Sequence, residues 1–229
     1  MPNYVLNTVK MAGITTLPLF KTVNGEQHLD FEKLIPTPEE LHLESGTLTM
    51  DSTLYFLTHR CNLSLRELGK KETALLNTLV GADWLEKMYH RVASQMATAS
   101  ESEKARLYDA GEQYFRNYEK YGVPTWYEWH IRRWGTKWNA MDTHISDCDT
   151  VSFYTAWRPP VPFLRKLSRT YPEASIYHFC EDECYPFYTE HRWLCAGKEL
   201  IKPCPPQLED WCDECQNECE SHDAERTIV

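Results

Sequence analysis

Apolar positions change their period several times along this chain, and each change marks a segment. Asn3–Ile14 mixes β-branched and apolar residues and ends near Gly13, which predicts an opening strand. Leu29–Leu41 (LDFEKLIPTPEEL) contains Pro36 and Pro38 and so predicts an ordered connection in place of a regular element. Glu39 and Glu40, following Pro38, suit the start of a short helix, because carboxylates are favoured at the positive end of the helix dipole. From Leu63 to Tyr121 the period becomes helical. Leu65, Leu68, Leu75, Leu76 and Leu79 recur at three- and four-residue steps, and so do Leu85, Met88, Tyr89, Val92 and Met96. The small, polar run Ala97–Glu103 predicts a turn before a further helix holding Leu107, Tyr108, Tyr114, Phe115 and Tyr118.

Gly122 and Pro124 end that region and start a helix over 125–133, limited by Gly135. Val151–Trp157 (VSFYTAW) predicts a strand stopped by Pro159 and Pro160, and Val161–Arg169 a short helix. Ser175–Cys180 and Phe187–Cys195 alternate as strands do, with a turn around Glu181–Pro186. Pro205–Pro206 followed by Leu208–Glu220 predicts a terminal helix, since proline is favoured in a first turn. The order strand, helices, strand, helix, strand, strand predicts an α+β domain with an antiparallel sheet and helices on one face. A ferredoxin-like (split βαβ) core is the specific expectation, in a single domain over 1–229 with 63–121 as a helical insertion.

Composition refines this picture in three ways. The chain has 229 residues, 42% hydrophobic and 25% charged, which excludes wholesale disorder. The formal net charge is −10, and all of it falls in residues 173–229, which carry 14 acidic and 4 basic side chains. That balance argues against a dedicated nucleic-acid binder while leaving room for a local basic patch. No apolar run approaches the roughly 18 residues of a membrane span, and no basic-then-apolar leader opens the sequence, so a cytoplasmic location without membrane partners is expected. Seven of the nine cysteines also lie in 173–229, and a reducing compartment makes them thiols or metal ligands before disulfides.

Three clusters carry candidate chemistry. The acids Glu181, Asp182 and Glu183, with Glu209, Asp210, Asp213, Glu214, Glu218 and Glu220, can present carboxylates to a basic groove on a partner; the bland alternative is a solvated acidic surface. The segment Trp126–Trp138 holds four of the eight tryptophans, and Trp126, His130, Arg132, Arg133 and Lys137 interleave aromatics with cations as a base-stacking platform does. Tyr127, Ile131, Trp134 and Trp138 also fall at helical steps, the signature of a buried stripe. Asp142, His144, Asp147, Cys148 and Asp149 can hold a divalent metal for hydrolysis, or can simply form a turn. In the tail, Cys212-x2-Cys215 and Cys215-x3-Cys219, completed by Cys204, His222, Cys180, Cys184, His178 or His191, have spacings that suit a structural zinc. Against zinc, Leu208, Cys212, Cys215, Cys219 and His222 form one helical stripe, where thiols act as small apolar groups. Reduced thiols with no cofactor are the expectation, and structural zinc is the alternative. No H-E-x-x-H, G-x-S-x-G, Walker or G-x-G-x-x-G motif is present.

Met1-Pro2-Asn3 with Asn7 and Gly13, LDFEKLIPTPEEL at 29–41, TWYEWHIRRWGTKWNA at 125–140 and FYTAWRPPVPFLRKLS at 153–168 together resemble the YubB ferredoxin-like family, uncharacterised proteins of bacteriophages and conjugative plasmids. The resemblance implies a ferredoxin-like core and a mobile-element origin, and it transfers no catalytic residues. The Cys-rich acidic end departs from the family pattern. The expected function is therefore a non-enzymatic accessory protein that binds and modulates a host protein in the bacterial cytoplasm, with anti-restriction or anti-CRISPR counter-defence as one form. A nucleic-acid-binding accessory factor using the Trp/Arg-rich segment and the sheet face is the alternative, and a metal-dependent hydrolase using Asp142–Asp149 the second alternative.

Overall fold

In the computed structural model, described for residues 3–13, 17–60, 64–146, 149–183 and 189–203, period-two and period-3.6 segments take up strands and helices much as their patterns dictate. In chain order the elements are β1 (Tyr4–Ala12), β2 (Phe20–Val23), β3 (Glu26–Leu29), α1 (Thr47–His59), α2 (Lys70–Leu79), α3 (Ala82–Thr98), α4 (Glu101–Tyr121), α5 (Trp126–Arg133), β4 (Met141–Ile145), β5 (Thr150–Ala156), α6 (Val161–Thr170), β6 (Ser175–Asp182), β7 (Thr189–Cys195) and β8 (Lys198–Pro203). Residues 29–41 form the expected connection, with short 3-10 turns at Phe31–Lys33 and Glu39–Leu41. Contacts divide the chain into two compact units, Met1–Pro36 with His130–Val229, and Thr37–Trp129.

The first unit is built on one antiparallel sheet of order β4-β5-β1-β6-β7-β8. Its first four strands, with a helix between β1 and β4 and another between β5 and β6, have the split βαβ connectivity, so the fold is ferredoxin-like as expected. β7 and β8 widen the sheet past β6. A separate hairpin, β2 with β3, turns at Asn24-Gly25, whose positive φ values of 53 and 86 suit a type I′ turn.

Alternation along the strands separates two faces. The inner face carries Val9 and Met11 of β1, Val151 and Phe153 of β5, Ile176 of β6 and Leu194 of β7. These residues pack with Phe163, Leu164 and Leu167 of α6 and with Phe31 and Trp134 in one apolar core. Trp134 is 1% exposed, stacks on His130 at 3.6 Å and donates Nε1–H to Ile35 O at 3.0 Å. The buried stripe expected of this helix is therefore His130 with Trp134, while Tyr127, Ile131 and Trp138 are half-buried.

Polar residues interrupt the inner face at one end. Asn7 donates to Val5 O and Thr155 Oγ1, both at 2.9 Å, and its Oδ1 accepts from His178 Nε2 at 3.0 Å. Thr155 passes the chain on to Arg158 O at 2.8 Å. All three side chains are fully buried, so these bonds offset a desolvation cost that would otherwise be several kcal/mol, on the order of 1–3 for each unmet group.

The second unit is all helix over the described part. Its helices begin at Thr47, well before the 63–121 span read from the sequence pattern. α1 explains the difference: Ser52 through Thr58 are all buried, so no polar face exposes its period. Leu54, Tyr55, Phe56 and Leu57 centre a second apolar cluster completed by Leu75, Leu76, Val92, Leu107 and Phe115. The expected turn near 97–103 falls at Ala99–Ser100. There Ser100 Oγ accepts from Glu103 N at 3.3 Å and Glu103 Oε2 accepts from Ser100 N at 2.8 Å, a capping box. α4 lies so close to α1 that a β-carbon on Gly111 would stand 2.0 Å from Ser52 O.

Three outcomes follow. Gly111→Ala should destabilise the helical unit by roughly 2–3 kcal/mol or more, because backbone has to give way. A fragment of 63–121, which lacks α1, should melt without cooperativity, whereas 37–129 should show a sigmoidal circular-dichroism melt. The third concerns His178, whose pKa burial first, and then the charge of Arg192 and His191, lowers to about 3 from an ordinary 6.5. The unfolded chain takes up this proton near pH 6.5 and the folded chain only near pH 3. His178 therefore supports the fold fully above about pH 6.5, and that support falls by about 1.4 kcal/mol per pH unit toward pH 3. His178→Gln, which keeps a donor for Asn7, should flatten that slope in urea titrations run from about pH 7 to about pH 4.

Candidate binding face of the sheet

The same alternation that buries one set of side chains gives the outer face to Tyr4, Leu6 and Thr8 of β1, Tyr154 of β5, Tyr177 and Phe179 of β6, and His191 and Trp193 of β7. Register aligns them in rows. Thr8 lies opposite both Ser152 and Phe179, and Phe179 lies opposite His191. In the next row Lys10 faces Tyr177, Tyr177 faces Trp193, and Trp193 faces Leu200. In a third, Leu6 faces Tyr154 on one side and Glu181 on the other. Directly opposed residues touch across strands, so each row is a band of side-chain contact.

The aromatic contacts are close. Tyr177 and Trp193 have centroids 5.2 Å apart, Phe179 and His191 5.0 Å, and His191 and Trp193 6.1 Å at an interplanar angle of 18°. Tyr4 meets Tyr154 edge-on at 6.4 Å. Tyr177 Oη and His191 Nδ1 are hydrogen-bonded, and burial lowers the His191 pKa, which keeps the ring neutral at physiological pH. Tyr154 is 38% exposed and Leu200 41%, so large apolar groups stand in solvent at both margins of this face. Among the described strands its charged register positions are few: Lys10, Lys198 and Lys202 against Glu181. Such a face offers stacking and dispersion with hydroxyl and imidazole handles.

The acids expected to bind a partner divide. Glu181, Asp182 and Glu183 lie at the end of β6. Glu181 is on the outer face, Asp182 on the inner face, and exposed Glu183 accepts from Tyr4 N at 2.8 Å. Glu209, Asp210, Asp213, Glu214, Glu218 and Glu220 lie outside the described residues, as do Cys204, Cys212, Cys215, Cys219 and His222 of the zinc alternative.

The basic segment is not one platform. His130 is buried, its Nδ1 bonded to Lys137 O at 2.8 Å and its ring against Trp134. Arg132 and Arg133 are exposed and Trp126 is half-buried on the same helix. Lys137 lies past the helix end, its ammonium over the rings of Trp138 at 5.1 Å and Trp157 at 5.4 Å. In the polar cluster, Asp142 and His144 stand exposed on the edge strand β4, at a bulge where Asp142 has φ +47. Asp149 O accepts from Met11 N at 2.8 Å and its Oδ1 from Thr150 at 2.9 Å. Asp147 and Cys148 are outside the described residues, among which no three His, Cys, Asp or Glu side chains are grouped to hold a metal. The outer-face aromatics were missed by a reading that looked for charge clusters. Their signal is the period-two alternation of SIYHFC and HRWLC itself.

Among the described residues no helix is long and apolar enough to cross a membrane. No curated protein matches the chain. The crystal structure of a protein Api92 from Yersinia pseudotuberculosis aligns over 92% of this chain and 100% of that one, at 10% identity and a TM-score of 0.38. Residues 133–229, which hold β4 to β8 and α6, match the family model for the ferredoxin-like domain in Api92-like protein.

Proposed function

We propose that this chain acts by stoichiometric binding, without turnover, and that its target is a protein engaged through the outer face of the sheet. The observation that supports this reading is the composition of that face, aromatic and aliphatic with few charges. Interface cores are enriched in Tyr, Trp and Phe and depleted of Lys, Glu and Asp in the same way. A single-strand platform would interleave its aromatics with cations to neutralise phosphates, whereas here Tyr177, Phe179, His191 and Trp193 lie directly beside one another in register. The acidic strand end at Glu181–Glu183 adds a rim that steers a basic partner and selects against acidic ones. The resemblance to proteins of phages and plasmids makes a host protein the natural target, and counter-defence one form its modulation would take.

The test uses the full chain as bait in bacterial lysate, with and without nuclease. Tyr154→Glu and Leu200→Glu alter exposed positions and should leave the melting temperature within a few degrees of wild type. Each should weaken capture of a protein partner at least tenfold, while reversing Glu181 and Glu183 to Lys should slow association most at low salt. Capture unaffected by the outer-face variants would overturn the reading. So would retention of nucleic acid alone, with affinity collapsing between about 50 and 200 mM salt.

A further inference from the structure

At the end of the inner face where the polar residues gather, the first unit opens into a groove of about 830 Å³, within the size range of small-ligand sites. One wall is apolar: Val5, Ile131, Pro159, Val161 and Pro162, with the Trp157 ring. The opposite wall is charged, with Arg192 and Glu190 of β7, Asp182 of β6, Arg165 of α6 and Arg158. The six charges of this region, counting Glu199 behind it, sum to zero, so selectivity depends on which groups are already engaged. Glu190 accepts from Arg192 Nη2 at 2.7 Å, and Glu199 is shared between Arg192 and Arg165, the latter at 2.6 Å.

Donors are left over. Arg192 is 3% exposed, yet its Nε–H meets no acceptor among the described residues. The exposed guanidinium of Arg158 has no carboxylate partner among them either. α6 also begins at this groove, with Val161 and Pro162 in its lining, no side-chain cap and no acid in its first turn. Of the first-turn donors of this ten-residue helix, Val161 N–H is bonded to Pro159 O at 2.9 Å and Pro162 has none, so the helix adds only its partial positive charge. The backbone here is held in an uncommon shape. Arg158 N–H bonds to Ala156 O at 2.9 Å around Trp157, whose φ is +65, a three-residue turn that is strained for a bulky residue. The turn leaves the indole 43% exposed at the groove mouth, and strain of this kind concentrates at ligand clamps.

We infer that this groove binds a small organic anion, its carboxylate or phosphate head held by Arg158 and Arg192 Nε, and its flat or apolar body laid on Trp157, Pro159 and Pro162. The inference is independent of the proposed partner, which would occupy the other face of the sheet. A guanidinium beside a charged oxygen acceptor makes the stronger class of hydrogen bond, so the head should dominate affinity.

The experiment is a titration of the full chain followed through the Trp157 indole N–H signal in a nitrogen–proton correlation spectrum, assigned by its loss in Trp157→Phe. Phenyl phosphate and phenylacetate are the probes, and benzyl alcohol is the uncharged control. At least one anion should move the Trp157 signal saturably at millimolar concentration, with benzyl alcohol bound at least tenfold more weakly. Arg158→Gln, at an exposed position, should keep the spectrum of the fold and weaken the anion about tenfold. Tighter binding of phenyl phosphate names a phosphate ligand, and tighter binding of phenylacetate a carboxylate. A Trp157 signal unmoved by both anions, equal response to benzyl alcohol, or undiminished affinity in Arg158→Gln would overturn the inference.

Discussion

The hydrogen bond from Trp134 Nε1 to Ile35 O joins two points of the chain that are 99 residues apart, and the first unit depends on that closure. The chain leaves the first unit after Pro36 and returns only within α5. Between them lies the whole helical unit, and the split βαβ forms only if the returning strands find the outgoing one. Closing a loop of this length costs only about 0.6 kcal/mol more than closing one half as long. A handful of well-made contacts is therefore enough. They are grouped at the junction: Phe31 N donates to Asn139 Oδ1 at 2.8 Å, Asn139 Nδ2 to Asp30 Oδ1 at 2.6 Å, and Leu29 N to Thr143 Oγ1 at 3.1 Å. Phe31 sits edge-on to Trp134 at 5.6 Å and to Phe153 at 5.9 Å, so the same residues that close the loop seed the core under β5. Removing the Trp134 ring would forfeit both.

The helical unit solves the mirror problem with a polar side chain. Buried Asn117 donates to Glu40 O at 2.7 Å and to Pro124 O at 3.1 Å, holding the segment that begins the unit beside the one that ends it. Each unit thus draws its own two ends together with one multivalent side chain. This arrangement lets an insertion grow or shrink within its unit while the sheet keeps its register.

Much of this architecture was legible because burial on one face writes a period into the sequence. β1, β5, α6 and β6 each alternate or recur cleanly, and their bounds agree with the pattern within a residue or two. α1 was hidden for the opposite reason: in TLTMDSTLYFLTH hydroxyl and apolar residues are both buried, so no stripe distinguishes inside from outside. β4, an edge strand of sequence MDTHI, exposes most of its length and carries a bulge, and polar alternation at an edge resembles a loop. The β2–β3 hairpin carried a readable mark, Asn24-Gly25 between short extended runs, that the reading passed over. The sites were less legible than the fold. The groove assembles Val5, Trp157, Arg158 and Arg192 from separate elements, and no spacing along the chain announces that meeting. The clusters that sequence did announce were local ones, and folding divided them: His130 went to the core and Asp182 to the face opposite Glu181.

The two added strands account for the chemistry of the groove. Where α6, Phe31 and Trp134 cover β5, β1 and β6, the inner face is apolar, and its polar residues Asn7, Thr155 and His178 are hydrogen-bonded to one another. β7 and β8 extend that face further, and alongside Leu194 and Ile201 they furnish it with Glu190, Arg192 and Glu199, next to Asp182 at the end of β6. Apolar residues there would leave an exposed patch at a sheet margin, whereas charges drawn inward must find partners to offset their desolvation. Glu190 and Glu199 supply most of that for Arg192, and Arg165 reaches across from α6 to share the load. Among the described residues the pairing stops one donor short at Arg192 Nε, and Arg158 beside it has no carboxylate partner. A sheet widened past its helix layer in this way converts a packing problem into a polar cleft whose remaining valence favours an anion.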